Sequence, residues 1–257
     1  KGLTFTASAL YQYQYGSVGL DGKTSNTYSR NALVPELFVG MTAKGKLLTG
    51  GFGVNASTIA PRVTIDSLKT RVDEHVTSLS AMVFGSLKVD DLSVRAKATY
   101  GQNTSHMQQP TGYGVVYESS NGAYTYESMQ LGSAWITMMY GKKLRYGFFA
   151  GWMKNFGSAG DAFVDNRVVK TDAEGNKTYL VEGAKKDGSA LVVRNNTGLD
   201  QAFRFSPIVT YKVQNLTIGL EYEHTAAAYG TYRSNGTATD THWVANHRAC
   251  MMLKYDF

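Results

Sequence analysis

The chain has 257 residues, a formal charge of +6, 43% hydrophobic residues and one Cys. That is the length of one large domain. A single Cys excludes an intramolecular disulfide and a cysteine zinc cage, and the basic residues are too scattered to form a nucleic-acid arm. No apolar run reaches the roughly 18 residues of a membrane helix, and mean hydropathy is −0.25. A soluble all-β protein or a membrane β-barrel remains. The start at Lys1 shows no charged segment followed by an apolar leader, as in a mature chain or one whose start has been removed.

Strict alternation begins at once: Leu3, Phe5, Ala7, Ala9, Tyr11, Tyr13 and Tyr15 share one face, with Thr4, Thr6, Ser8, Gln12 and Gln14 on the other. The pattern recurs over 33–43, 48–56, 79–89, 92–100, 129–140, 144–156, 203–213, 216–226 and 243–257. These are ten predicted strands. At about 10–13 residues they are longer than strands of soluble sheets and match tilted bilayer-crossing strands of about 9–11 residues.

The connections alternate as well. Tight turns fall at Lys44-Gly45-Lys46, Asp90-Asp91, Gly141-Lys142-Lys143 and Gln214-Asn215, and between them lie long polar loops at about 16–31, 57–75, 102–127, 157–201 and 227–242. Short turns on one rim and long loops on the other are the layout of an outer-membrane barrel, with the turns periplasmic. A hairpin is expected around Glu174-Gly175-Asn176. The expected fold is therefore a single all-β, transmembrane, antiparallel up-and-down barrel domain over 1–257, with outer-membrane lipid and lipopolysaccharide around it. A soluble sandwich gives no reason for sorted loops.

Charge tests the phase, because Lys or Arg on a lipid face near the midplane costs about 2–4 kcal/mol. Inward by parity are Glu36, Lys88, Arg95, Lys97, Arg145, Arg204, Lys212, Glu221, Glu223, Arg248, Lys254 and Asp256; Lys154 alone points outward, near a strand end where it can snorkel. Outward aromatics crowd toward strand ends, as in Tyr13, Tyr15, Trp152, Phe156, Tyr211, Trp243, Tyr255 and Phe257, which resembles two interfacial girdles. Pro35 and Pro207 lie inside proposed strands and imply bulges. The 129–140 segment is nearly apolar on both faces, so its register stays open.

Eight basic and four acidic inward residues favour anions on the presumed lumen wall. Glu221 and Glu223 face the strand carrying Arg248 and are expected to form a cross-strand brace. Arg95 and Lys97 have no carboxylate on the neighbouring strands and are the best candidates for a permeation stripe, with Arg204 nearer the loop-side mouth and Arg248 as a fourth basic lumen residue. Asp240 and His242 form an Asp-x-His that is similar to the omptin proteases, but no second aspartate pair accompanies it. Gly50-Gly51-Phe52-Gly53 lacks the ending of a phosphate loop, and the five His show no metal-ligand spacing. No catalytic residue, metal or cofactor is expected.

The chain ends with Leu253, Tyr255 and Phe257 in the outward phase. This resembles the C-terminal signal read by the barrel assembly machinery. Phe205-Ser206-Pro207, Gly219-Leu220-Glu221-Tyr222-Glu223 and Asn246-His247-Arg248 resemble the C-terminal hairpin of DcaP-like porins found among Bacteroidetes. That resemblance implies a trimer of sixteen-stranded barrels with a periplasmic coiled coil, passing small anionic solutes along basic lumen residues. Ten strands depart from sixteen. Either the chain is a ten-stranded barrel whose first strand meets its last, or further strands lie upstream. The functional expectation is a porin-type channel; a non-conducting accessory barrel of an envelope complex is the alternative.

Overall fold

The computed structural model describes all residues except 1, 12–16, 19–23, 66–69, 108, 119–122, 161–167, 172–176, 180–197 and 234. Tyr13 and Tyr15 lie outside the described residues, as does the Glu174-Gly175-Asn176 turn. Ten strands form one sheet: β1 Gly2–Leu10, β2 Glu36–Lys44, β3 Leu48–Ile59, β4 Val76–Val89, β5 Leu92–Gln102, β6 Gln130–Tyr140, β7 Leu144–Gly157, β8 Leu199–Val213, β9 Leu216–Tyr232 and β10 Ala238–Tyr255. Each pairs antiparallel with its neighbour in sequence, so the sheet is an uninterrupted meander. Short hairpin turns demand φ > 0 where the chain reverses, and Asp90 (φ 48°), Gly141 (φ 113°) and Gln214 (φ 51°) supply it.

The apolar phase points away from protein. Phe5, Val39, Val83 and Met251 are 74, 61, 60 and 69% exposed. A soluble sandwich would bury them between layers. The small buried core, including Ile59, Val76 and Tyr113, sits instead at the long-loop end of the wall.

Several expectations change. A short helix α1, Thr27–Ala32, closes on Leu33 in a left-handed conformation (φ 57°), and Pro35 follows, so β2 begins at Glu36 and Pro35 lies outside it. Pro207 does lie inside β8, opposite Phe148 on β7. It causes no bulge: β8 and β9 keep one register on both sides of it, with Phe205 opposite His224 and Ile208 opposite Glu221. The missing N–H interrupts the ladder without inserting a residue. The β6 register pairs Lys97 with Trp135 and Arg95 with Thr137. β8, β9 and β10 run well into segments expected as loop, because their backbone pairing continues there, with Leu199 opposite Tyr229 and Tyr229 opposite His242. Within the longest loop, Val168–Thr171 pairs with Lys177–Tyr179.

Among the described residues β1 pairs only with β2, and β10 only with β9. The first strand does not meet the last. Both sheet edges are open, and an open edge in hydrocarbon leaves backbone donors and acceptors unsatisfied.

Val83 tests the phase. Val83→Lys should cost about 2–4 kcal/mol in reversible folding into lipid vesicles, whereas Thr137→Lys, on the opposite face, should leave the folding free energy within about 0.5 kcal/mol.

Candidate functional site

The cross-strand register assembles a ladder on the inward face. Phe84 lies opposite Lys97, Lys97 opposite Trp135, Trp135 opposite Gly151, and Gly151 opposite Arg204. The adjacent row carries Ser86, Arg95, Thr137, Phe149 and Ser206. Trp135 stacks on Phe149 with ring centroids 6.3 Å apart, and the Arg204 guanidinium lies 5.6 Å from the Phe149 centroid. Farther along, Phe38 and Phe84 lie over glycines. A Cβ on Gly53 would meet Phe38 at 2.5 Å and one on Gly51 would meet Phe84 at 2.8 Å, which is the use of the glycine-rich run in β3.

Arg204 is not free. Its Nη2 lies 3.2 Å from Glu221 Oε1 and 2.6 Å from Glu223 Oε2, and its Nε donates to Ser206 Oγ at 3.0 Å. Arg248 Nη2 donates to the same Glu223 oxygen at 2.6 Å. Two guanidinium groups and two carboxylates thus cancel one another, and Arg204 sits within this cluster rather than alone at the mouth. Arg95 and Lys97 differ: among the described residues neither has a carboxylate partner. Arg95 is exposed and Lys97 half-buried.

The other wall charges occupy the rims. Lys212 and Lys254 approach Asp256 at 3.7 and 2.7 Å, and the Lys254 hydrogen bond holds the Asp256 carboxyl below its usual range. Lys154, the outward lysine, pairs with Asp200 at 2.5 Å near the long-loop rim.

The segment between β5 and β6 folds inward, which irregular loop sequence does not reveal. It contains a 3₁₀ turn, Thr104–Met107, and a hairpin of Tyr113–Glu118 with Tyr124–Ser128. Its side chains contact inward wall residues. His106 Nε2 approaches Glu36 Oε1 at 3.4 Å, Gln109 donates to Ser133 Oγ at 3.1 Å, and Ser128 Oγ meets Ser78 Oγ at 3.3 Å. Asn55 donates to the same Glu36 oxygen at 2.8 Å. Gly101 lets the segment approach, since a Cβ there would meet Ser80 at 2.5 Å and Thr104 at 2.7 Å. Wall residues Asn55, Ser78 and Ser80 are consequently buried.

One carboxylate ties this hairpin to the preceding loop. Glu74 is 3% exposed. It accepts from Arg62 Nε at 2.9 and 3.0 Å, from Arg62 Nη2 at 2.6 Å, from the Tyr124 backbone N–H at 2.7 Å and from the Tyr126 hydroxyl. Arg62 also lies 3.6 Å from the Tyr124 ring centroid. Burial and the Glu74 hydrogen bond push the Tyr126 phenol above its usual range. For Arg62 burial acts to lower the pKa, but the hydrogen bond and charge of Glu74 outweigh it and raise it. A buried carboxylate is tolerated because every lone-pair direction is satisfied by a donor.

Leu253 and Tyr255 are exposed on β10 and Phe257 beyond its end, with the Tyr255 and Phe257 rings 5.1 Å apart. Asp240 and His242 are exposed near the start of β10, and no group of three His, Cys, Asp or Glu among the described residues could hold a metal. Two apolar hollows, about 590 and 710 Å³, are lined largely by outward-phase residues such as Ala96, Ala134 and Ala150, or Val209, Leu220 and Met251. They belong to the lipid-facing wall.

No protein family matches the chain, and no curated protein does. A solved structure does: the outer membrane channel DcaP of Acinetobacter baumannii, with a TM-score of 0.59 and 15% identity, covering 99% of this chain and 59% of that one. The fold is thus that of a transmembrane, antiparallel outer-membrane β-barrel. The chain spans 59% of the length of the channel it matches. The similarity supports a porin-like fold and carries no indication of Bacteroidetes, the group to which the sequence resemblance pointed.

Removing one acceptor charge should release the loop. Glu74→Gln should increase amide hydrogen exchange at Tyr124–Ser128 at least about tenfold, corresponding to about 1.4 kcal/mol of lost local protection, while exchange in β6 and β7 stays unchanged.

Proposed function

We propose that this chain forms part of the wall of an outer-membrane diffusion channel that prefers small anionic solutes. The observation carrying this reading is the contrast on one inward face. Arg204 and Arg248 are neutralised by Glu221 and Glu223, whereas Arg95 and Lys97 have no acidic partner among the described residues. Unpaired cations on a water-filled wall create a positive potential that concentrates carboxylate or phosphate solutes. Trp135 and Phe149 lie between Lys97 and Arg204. They give a sliding surface for the apolar part of such a solute. The inward-folded segment between β5 and β6 narrows the lumen from the long-loop side and sets a size limit.

The fold similarity to an outer membrane channel supports transport over catalysis. The open edges of β1 and β10 are closed, in this reading, by further strands, which accords with the chain spanning 59% of the matched channel. Leu253, Tyr255 and Phe257 serve recognition by the assembly machinery, and a homotrimer or a larger envelope complex is the working assembly. The accessory-barrel reading draws its support from the same inward segment, which would then occlude the lumen.

Planar-bilayer recordings on the full-length protein test the proposal. A steady current with an anion-shifted reversal potential is expected. Arg95→Gln with Lys97→Gln should move that potential toward zero, and Glu223→Gln should move it further toward anions by uncovering Arg204 and Arg248. A folded, inserted and silent protein would favour the accessory barrel; a reversal potential unmoved by the double substitution would remove Arg95 and Lys97 from the path.

A further inference from the structure

The outward face of β9 and β10 carries a feature that the apolar rule does not explain. His224 and His247 stand directly opposite each other across the two strands. Their ring centroids are 4.7 Å apart and the two Nδ1 atoms lie 3.3 Å from each other. Two nitrogens each about 2.0–2.1 Å from a tetrahedrally coordinated zinc ion are separated by about 3.3 Å. Register and side-chain conformation together bring the two nitrogens to the separation that a chelated cation requires.

We propose that His224 and His247 form a two-imidazole binding site for a borderline divalent cation such as Zn²⁺ or Cu²⁺ on the outer wall of the barrel. The donor chemistry fits: imidazole selects these ions over the hard cations Mg²⁺ and Ca²⁺, which take oxygen ligands. Tyr222, also on this face, has its hydroxyl 2.5 Å from His247 Nδ1. With the phenol as donor, that nitrogen is held unprotonated, the form that ligates a metal. Tyr222 occupies the lone pair until a cation displaces it, so it competes with the metal rather than binding it.

The surroundings decide where such a site works. His224 lies against Phe203 with centroids 5.4 Å apart, and Phe203 against Trp243 at 5.5 Å. Trp243 and Phe203 mark the aromatic girdle on the long-loop side, the headgroup level where water reaches the wall. Ala226, Ala245 and Ala249 are the neighbouring outward residues along both strands. Ala245 and Ala249 are exposed and small enough to leave the cation's remaining positions open to water or to a headgroup oxygen, whereas Ala226 is buried. The charged cluster of Glu223 and Arg248 lies on the opposite face and does not reach it.

The test is a Cu²⁺ titration of the full-length protein folded in detergent, followed by electron paramagnetic resonance. One site with coupling to two imidazole nitrogens is expected, and Zn²⁺ should displace the copper. His224→Gln and His247→Gln should each weaken this site at least tenfold, while Tyr222→Phe should retain it at equal or greater affinity. The His224→Gln/His247→Gln double variant supplies the background from His75, His106 and His242. Wild-type protein that binds copper no more tightly than this double variant overturns the proposal. A second readout needs no variant: Zn²⁺ should protect His224 and His247 from acylation by diethyl pyrocarbonate, and equal modification with and without Zn²⁺ would also overturn it.

Discussion

Hydrocarbon offers a backbone amide no hydrogen-bond partner, so a chain crossing a bilayer as strands must pair each one and give every second side chain to the lipid. Both demands are visible here. The meander from β1 to β10 pairs each interior strand on both sides, and Phe5, Val39, Val83, Leu220 and Met251 project outward with no protein over them. The same constraint makes the two open edges informative, because neither β1 nor β10 can remain unpaired in lipid. It also explains why the folded core is so small. Among the described residues the large buried apolar side chains gather at the loop end, around Ile59, Val76 and Tyr113, since the bilayer accepts the rest of the apolar surface.

Once the outward phase is committed to lipid, the inward phase receives the charges, and their arrangement becomes a matter of register. Arg204 on β8 lies three strands from Lys97 on β5, and across the wall the two are joined by Trp135 and Gly151 in a single row. Acidic partners lie at one end of the row, and at the other lie cations with no carboxylate partner among the described residues. Glu74 does the opposite work in the loops. By collecting Arg62, Tyr126 and the Tyr124 amide, it turns flexible polar chain into a fixed inward projection.

The parts legible in the sequence are those governed by period two. All ten strands, the inward position of Arg95 and Lys97, and the facing of Glu223 and Arg248 follow from alternation and short turns, because each depends only on neighbours along the chain or across a tight hairpin. What escaped depends on longer closures. α1 is set by a left-handed Leu33 ahead of Pro35, and the inward segment is set by Gly101 and a buried Glu74. Pro207 misled in the other direction: its missing donor implied a bulge, but inside a long strand that loss is absorbed by interrupting pairing with β9. Arg204 joined the acidic cluster because the β8–β9 register places Ser206 and Arg204 beside Glu221 and Glu223. The histidine pair is similar. A separation of 23 residues means nothing until the β9–β10 register puts His224 opposite His247.

The central claim is that successive residues of one strand alternate between hydrocarbon and water. Spin labels placed singly at 94, 95, 96, 97 and 98 along β5, in full-length protein with Cys250→Ser reconstituted into vesicles, measure it directly. Oxygen, which dissolves in lipid, should relax the labels at 94, 96 and 98, and a water-soluble nickel chelate should relax those at 95 and 97. Labels that respond equally to both reagents, or that are shielded from both at 94, 96 and 98, would contradict the account.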